Sequence, residues 1–154
     1  MRRLFSAGIV VGLCLILGAC ANSGSQTGAA PVPGDFRIVF GEGGGFTGRW
    51  SGHTVESDRS VSSWEGVRIE ENSTAAGQLS EEHRSLLWQQ LVETKFFETK
   101  MQEKGNMTRL IRVTANGETH EVTWPRSGFP DKEGSPLDEL LDFCQTQVLA
   151  PDTP

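Results

Sequence analysis

An Asn-Gly pair between two strand-like segments constrains the fold of this chain more than any other feature. Residues 107–115 and 118–124 are rich in apolar and β-branched residues, and only Asn116-Gly117 separates them. Asn-Gly in a two-residue connection favours a type I′ turn, whose twist matches that of two antiparallel strands. The sequence therefore predicts an antiparallel hairpin here.

The segments before this hairpin predict three more strands. Every second residue of 36–40 carries a large apolar side chain, which indicates a half-buried strand. A second strand is expected at 49–56 and a third at 60–70, either continuous or interrupted at Gly66, and turn-forming residues at 57–59 join the two. Residues 71–78 are polar and are expected to form a loop.

Two segments have the periodicity and the capping residues of helices. Ser80 is a good N-cap, and the acidic residues that follow it favour a helix over 81–93. Residues 95–98 are expected to add a short apolar turn. Ser135-Pro136 opens a second helix. The apolar stripe of the second helix consists of Leu137, Leu140, Leu141, Cys144 and Val148.

Together these elements follow the order βββ-α-ββ-α. Consecutive hairpins imply an antiparallel sheet of about five strands, and two amphipathic helices can pack on one face of it. The sequence therefore predicts one α+β domain over residues 34–150. The opposite face of the sheet is expected to be either solvated or a contact surface.

Residues 1–19 have the composition of a bacterial lipoprotein signal peptide. Arg2 and Arg3 precede an apolar run over 4–17, which is shorter than the roughly 20 residues that span a membrane. The run ends in Leu-Gly-Ala-Cys, which resembles a lipobox and predicts acylation of Cys20. The alternatives are an ordinary secretory signal with an incidental cysteine and a twin-arginine signal.

The residues around the acylated cysteine predict where the domain resides. Residues 20–33 combine the lipidated cysteine with small, polar and proline residues, which predict a flexible tether. Ala21 stands where an Asp would favour retention at the inner membrane, so the outer membrane is expected if the source is Gram-negative. Residues 151–154 are expected to be a tail. The sequence thus predicts a protein of the bacterial cell envelope, anchored in the lipid bilayer.

The charge balance argues against nucleic acid as a partner. The chain has 14 basic and 20 acidic residues, which gives a formal net charge of −6. Without the two leader arginines, 12 basic residues remain against 20 acidic ones, a net charge of −8. An acidic domain repels phosphate backbones.

The residues that usually carry catalysis are few and scattered. His53, His83 and His120 are far apart in the sequence, and Cys144 is the one thiol expected to stay unmodified in the mature domain. This pattern offers neither an intrachain disulfide nor a spacing typical of a zinc site. We therefore expect no metal, no cofactor and no enzymatic activity.

A glycine-rich segment between the first two strands is the strongest candidate for a contact site. Residues 41–48 contain five glycines, which favours a turn or a bulged crossing. The segment lacks the Lys-Ser or Lys-Thr of a phosphate-binding loop. Phe46 either tucks into the core or projects as an anchor for a partner. The candidate partner-binding residues are Glu42, Gly43, Gly44, Gly45, Phe46 and Gly48.

Several of these motifs together resemble a known family. The strand at 36–40 runs into Gly-Gly-Gly-Phe-Thr-Gly at 43–48, and a Leu-Ser start leads into a leucine-rich helix within 79–93. Thr-His-Glu-Val-Thr-Trp follows the Asn-Gly turn, and Leu-x-x-Leu-Leu begins at Leu137. Over residues 35–148 the chain resembles emfourin-like proteins, which are small bacterial inhibitors of thermolysin-type (M4) metallopeptidases.

The resemblance implies a protein that binds its partner without transforming it. A rigid sheet would present the glycine-rich loop to a protease cleft, and the nearby Glu42 could approach the catalytic zinc. The lipid anchor and a longer segment at 49–78 depart from the family pattern. The expected function is a lipid-anchored protein-binding domain that inhibits an M4-type metallopeptidase. The alternative is a structural or assembly lipoprotein that binds another envelope component.

Overall fold

A six-stranded antiparallel sheet with two helices runs through the part of the chain that the computed structural model describes, residues 30–126 and 135–149. The predicted signal peptide, Cys20, most of the tether and the tail at 151–154 lie outside the described residues. The prediction of an antiparallel α+β fold is confirmed, with one strand more than the expected five.

The strand order in the sheet is β4-β3-β2-β1-β5-β6. The bounds of the strands are Arg37–Gly44 for β1, Arg49–Val55 for β2, Ser60–Gly66 for β3, Thr74–Gln78 for β4, Met107–Ala115 for β5 and Glu118–Pro125 for β6. β1 is central and pairs with β2 on one side and with β5 on the other. The four strands before α1 and the hairpin after it are therefore joined by the pairing of β1 with β5.

The additional strand is β4, which occupies part of the segment expected to be a loop at 71–78. It pairs with β3 between Ser60 and Ser63, and a bulge interrupts the register at Val61 and Ser62. All five side chains of β4 are exposed. β4 is held by backbone pairing and lacks the alternation of apolar residues from which a strand is predicted. The prediction of a loop is therefore wrong over Thr74–Gln78.

β3 ends at Gly66 and not at the predicted residue 70, because Glu71 caps the turn that follows. The Oε2 atom of Glu71 accepts hydrogen bonds from the backbone N–H groups of Val67 at 2.7 Å and Arg68 at 3.1 Å. A carboxylate that satisfies two backbone donors stabilises a turn in which those donors have left the sheet ladder.

The helices lie where the sequence predicts them. α1 spans Glu81–Glu93, a 3₁₀-helix spans Phe96–Glu98, and α2 spans Pro136–Leu149. Ser80 Oγ accepts a hydrogen bond from the backbone N–H of His83 at 3.1 Å, which confirms Ser80 as the N-cap of α1. In the described part of the chain, no helix is long and apolar enough to cross a membrane.

The hydrophobic core lies between the two helices and one face of the sheet. Its largest fully buried side chains are Phe36, Ile38, Phe40, Leu87, Leu91, Phe96, Ile111, Leu140 and Leu141. Val32 also packs against this core, and Arg84 Nη2 donates a hydrogen bond to the carbonyl oxygen of Pro33 at 2.8 Å. Contacts with the domain therefore begin just before the predicted start at residue 34.

The opposite face of the sheet is covered at its centre by Trp64. Val39 and Leu110 lie on this face and are completely buried, and Trp64 itself is 2% exposed. The indole lies across Gly41 and Gly52, because a Cβ on Gly52 would come within 2.5 Å of Trp64 Cζ2 and one on Gly41 within 2.9 Å of Trp64 Cη2. Two glycines on neighbouring strands thus make room for the ring, and the glycine-rich stretch begins inside β1.

Candidate functional site

The connection between β1 and β2 is a tight turn at residues 45–48, narrower than the predicted glycine-rich loop. Gly45 and Gly48 have φ angles of 65° and 62°, in the left-handed region that favours glycine. The N–H of Gly45 donates to the carbonyl oxygen of Asn106, and the N–H of Gly48 donates to that of Gly45 at 3.3 Å. The turn is held both by its own backbone and by the segment before β5.

Phe46 lies at the tip of this turn and is fully exposed, with a relative accessibility of 106%. Leu149, the next most exposed large hydrophobic residue of the described chain, reaches 66%. The alternative in which Phe46 tucks into the core is therefore wrong, and the projecting arrangement is the one observed. An aromatic ring held in water on an ordered turn is a candidate anchor for a protein partner.

The other glycines of the predicted contact loop lie at the end of β1. Gly43 pairs with Trp50 of β2, whose ring lies so close that a side chain on Gly43 would clash with it. Gly44 has a φ of 109°, and a Cβ there would be 2.6 Å from the carbonyl oxygen of Asn106. These two glycines shape the base of the turn and do not belong to its exposed tip.

Glu42 lies on the face of β1 that packs against the helices and not on the turn. Its carboxylate contacts Arg126 Nη1 at 3.1 Å through Oε1 and Arg109 Nε at 3.4 Å through Oε2. The side chain is 28% exposed. Each carboxylate oxygen therefore has an arginine partner, which a zinc ion would have to displace.

Arg109 connects Glu42 to the start of α2. The Nη1 atom of Arg109 donates to Asp138 Oδ1 at 2.6 Å, and Trp124 Nε1 donates to the same oxygen at 2.7 Å. Burial by itself raises the pKa of Asp138, but hydrogen bonds from Trp124, Arg109 and Ser135 outweigh it and hold the pKa below its ordinary value. This network joins β1, β5, β6 and α2 at the end of β1 that leads into the Phe46 turn.

The chain enters the domain at the opposite end of β1. The carboxylate of Asp35 accepts hydrogen bonds from the backbone N–H groups of Gly117 at 2.7 Å and Asn116 at 2.8 Å, and these bonds lower its pKa. Asn116 and Gly117 have φ angles of 54° and 76°, as the predicted type I′ turn requires. The eight residues of β1 span about 25 Å at about 3.3 Å per residue. The entry point and Phe46 therefore lie at two ends of the domain.

A polar cleft lies on the helix side of the sheet, beside α2. It has a volume of about 640 Å³, and its lining includes Ser51 and His53 of β2, Ser63 of β3 and Gln145 of α2. His53 pairs directly with Ser63 across the two strands, and its ring centroid lies 5.8 Å from that of Phe40. Burial lowers the pKa of His53 below its ordinary value of 6.5.

The sequence alone does not reveal this cleft, although the side chains that line it alternate along two strands. Arg49, Ser51 and His53 alternate along β2, and Ser63 and Glu65 alternate along β3, so that all five side chains share one face. That face carries the core elsewhere in the sheet. This alternation of polar side chains shows that they share one face only when the register of β2 against β3 is known.

The remaining candidate residues do not converge on a site. His83 lies in the first turn of α1, and His120 Nε2 lies 2.9 Å from the carbonyl oxygen of Thr99. Cys144 is fully buried, as the apolar stripe predicts, and burial raises the pKa of its thiol to about 12. Within the two described ranges, no three His, Cys, Asp or Glu side chains are grouped so that they could hold a metal ion.

Comparison with known proteins assigns no family to this chain. No family model and no curated protein matches the sequence. Two places in the described fold have the geometry of a binding site, the Phe46 turn and the polar cleft.

Proposed function

We propose that this chain is a lipid-anchored, non-enzymatic protein of the bacterial envelope that binds another protein through the Phe46 turn. The observation that supports this most strongly is a fully exposed phenylalanine on a turn held by backbone hydrogen bonds. Aromatic side chains dominate the binding energy of many interfaces, and a turn that is already ordered loses little entropy on binding. Such a site needs no catalytic group.

The more specific proposal is inhibition of a thermolysin-type (M4) metallopeptidase, which follows from the resemblance to emfourin-like proteins. A four-residue turn is narrow enough to enter a cleft, where the ring of Phe46 would occupy an apolar subsite. The hydrogen bonds of Gly45 and Gly48 hold the backbone in a turn and resist the extended form that a protease needs for cleavage. The chain would thus fill the cleft without being cut.

The position of the anchor is compatible with this role. Acylation of Cys20 would tether the domain to the membrane through a segment that joins it at the end carrying Asp35. The Phe46 turn would then lie about 25 Å farther out, at the other end of β1. The partner would be met in the aqueous part of the envelope and not at the bilayer surface.

Glu42 takes a positioning role in this proposal. Its oxygens are paired with Arg109 and Arg126, so we assign it to the base of the turn and not to the zinc of the partner. Glu42→Gln should therefore weaken inhibition less than Phe46→Ala does. A larger loss with Glu42→Gln would restore the zinc-ligand hypothesis.

The test of inhibition is a titration of the full chain, in detergent micelles, against thermolysin acting on a peptide substrate. Micromolar concentrations of the chain should slow hydrolysis, and Phe46→Ala should weaken the effect about thirtyfold because an anchor side chain contributes about 2 kcal/mol. Leu149→Ala is the matched control, since it removes an exposed apolar side chain outside the turn. Absence of slowing by the unsubstituted chain at micromolar concentration would remove the inhibitor proposal.

The alternative of a structural or assembly lipoprotein predicts a different partner at the same turn. A photoreactive amino acid in place of Phe46 would cross-link to a metallopeptidase under the first proposal and to another envelope component under the alternative. The anchor itself is tested by metabolic labelling with palmitate, which should mark the chain and disappear with Cys20→Ser. Label that persists in that variant would contradict acylation at this position.

A further inference from the structure

The polar cleft beside α2 is separate from the tip of the Phe46 turn and has no role in the function proposed above. Its volume of about 640 Å³ falls within the roughly 300–1,000 Å³ that small-ligand sites occupy. The side chains of Ser51, His53 and Ser63 lie next to one another by strand register, with Thr74 of β4 opposite Ser63. With Glu42 of β1, the cleft combines side chains from four strands and one helix.

The charged groups of this cleft already have ion-pair partners. Arg49 Nη2 lies 2.9 Å from Glu65 Oε1, and both oxygens of Glu42 have arginine partners. A charged ligand would have to compete with these ion pairs for the same side chains. The cleft consequently favours a ligand without net charge.

The neutral groups of the cleft, in contrast, have unused hydrogen-bonding capacity. Ser51 and Thr74 are exposed, His53, Ser63 and Gln145 are half-buried, and among the described residues these five side chains make no hydrogen bond within the protein. Because burial lowers the pKa of His53, its imidazole is neutral at pH 7 and offers one donor and one acceptor. An apolar ligand would cover these groups without satisfying them, which is unfavourable.

We propose that this cleft binds a neutral, polyhydroxylated ligand, namely a segment of an uncharged oligosaccharide. Adjacent hydroxyl groups of a sugar act both as donors and as acceptors, and they match a lining of two serines, one threonine, one neutral imidazole and one amide. The paired Arg49 and Glu65 border the cleft, where a charged ligand would compete with their ion pair. This site is independent of the Phe46 turn, so either proposal can fail without the other.

The experiment measures binding of four trimers to the full chain in micelles of a sugar-free detergent. Chitotriose and maltotriose are the neutral probes, and trigalacturonate and trilysine are the charged ones. At least one neutral trimer should bind saturably at millimolar concentration or below, and tighter than either charged trimer. Calorimetry gives the affinities, and the chemical shifts of the His53 ring should move with the same saturation curve.

Two conservative variants test the assignment of the site. Ser63→Ala and Thr74→Val each remove one hydroxyl group, and each should weaken binding of the neutral trimer about fivefold at unchanged melting temperature. Ser85→Ala is the control, because this serine lies on the exposed face of α1 with its hydroxyl bonded to Glu81. The proposal is overturned if neither neutral trimer binds, if a charged trimer binds more tightly, or if the cleft variants bind as the control does.

Discussion

Trp124 donates its indole N–H to Asp138 at 2.7 Å, and this hydrogen bond joins the last strand of the sheet to the first turn of α2. Arg109 donates to the same carboxylate oxygen from the neighbouring strand, at 2.6 Å. Asp138 is 7% exposed, so water does not replace these partners. The placement of α2 over the sheet therefore depends on one ionised carboxylate.

Asp138→Asn should destabilise the domain at neutral pH by about 2 kcal/mol, because Trp124 and Arg109 would then donate to a neutral amide and no longer to a carboxylate. The pKa of Asp138 in the folded state lies below its ordinary value of 3.8. The stability that the ionised group contributes is therefore complete above pH 3.8 and is lost as the pH falls through the folded-state pKa. Urea unfolding at pH 7 and at pH 3 should show the two proteins converging at the lower pH. A constant difference between them would contradict this account.

Gly52→Ala should destabilise the sheet by about 1–3 kcal/mol, because the new methyl group meets the ring of Trp64 and neighbouring backbone. Gly34→Ala is the matched control, since a Cβ at Gly34 has no atom within 4 Å. Thermal unfolding monitored by near-ultraviolet circular dichroism would report both the stability and the environment of the indole. Equal melting temperatures for the two variants would show that Trp64 does not lie across Gly52.

Phe46→Ala should leave the free energy of unfolding nearly unchanged, because the side chain makes no buried contact. Phe96→Ala removes a ring that is completely buried and should cost about 3–5 kcal/mol. Urea denaturation of the two variants compares a phenylalanine kept for contact with one kept for packing. A large loss of stability with Phe46→Ala would mean that the ring packs against the domain in solution.

Cys144 should resist alkylation in the folded protein. Its thiol is completely buried, and burial raises its pKa to about 12. At pH 8 the sulfur is therefore neither accessible to the reagent nor ionised to the reactive thiolate. Mass spectrometry of the peptide that contains Cys144 should show label from iodoacetamide only after denaturation. Rapid labelling under native conditions would indicate that α2 opens readily from the sheet.

Much of the local structure could be predicted because the signals lie within a few residues. Asn116-Gly117 specifies the turn between β5 and β6, and Ser80 begins α1 at the predicted place. The buried position of Cys144 followed from helical spacing alone. Each of these features depends on backbone preferences or on periodicity along one element.

Other features depend on partners that are distant in the chain. β4 has no apolar pattern and exists because β3 lies beside it. The sequence left the orientation of Phe46 open, and the carboxylate of Glu42 meets Arg126, which lies 84 residues later. No local pattern predicts such a pair.

By itself, therefore, the amino-acid sequence determined both helices and every strand except β4, where most of these elements begin, and the antiparallel character of the sheet. Tertiary structure alone decided which side chains meet across strands: the ring of Trp64 over Gly52, and Ser63 beside His53 in the polar cleft. The physical reason is that strand register places residues from different segments on one face, and a shift by one residue would reverse every face.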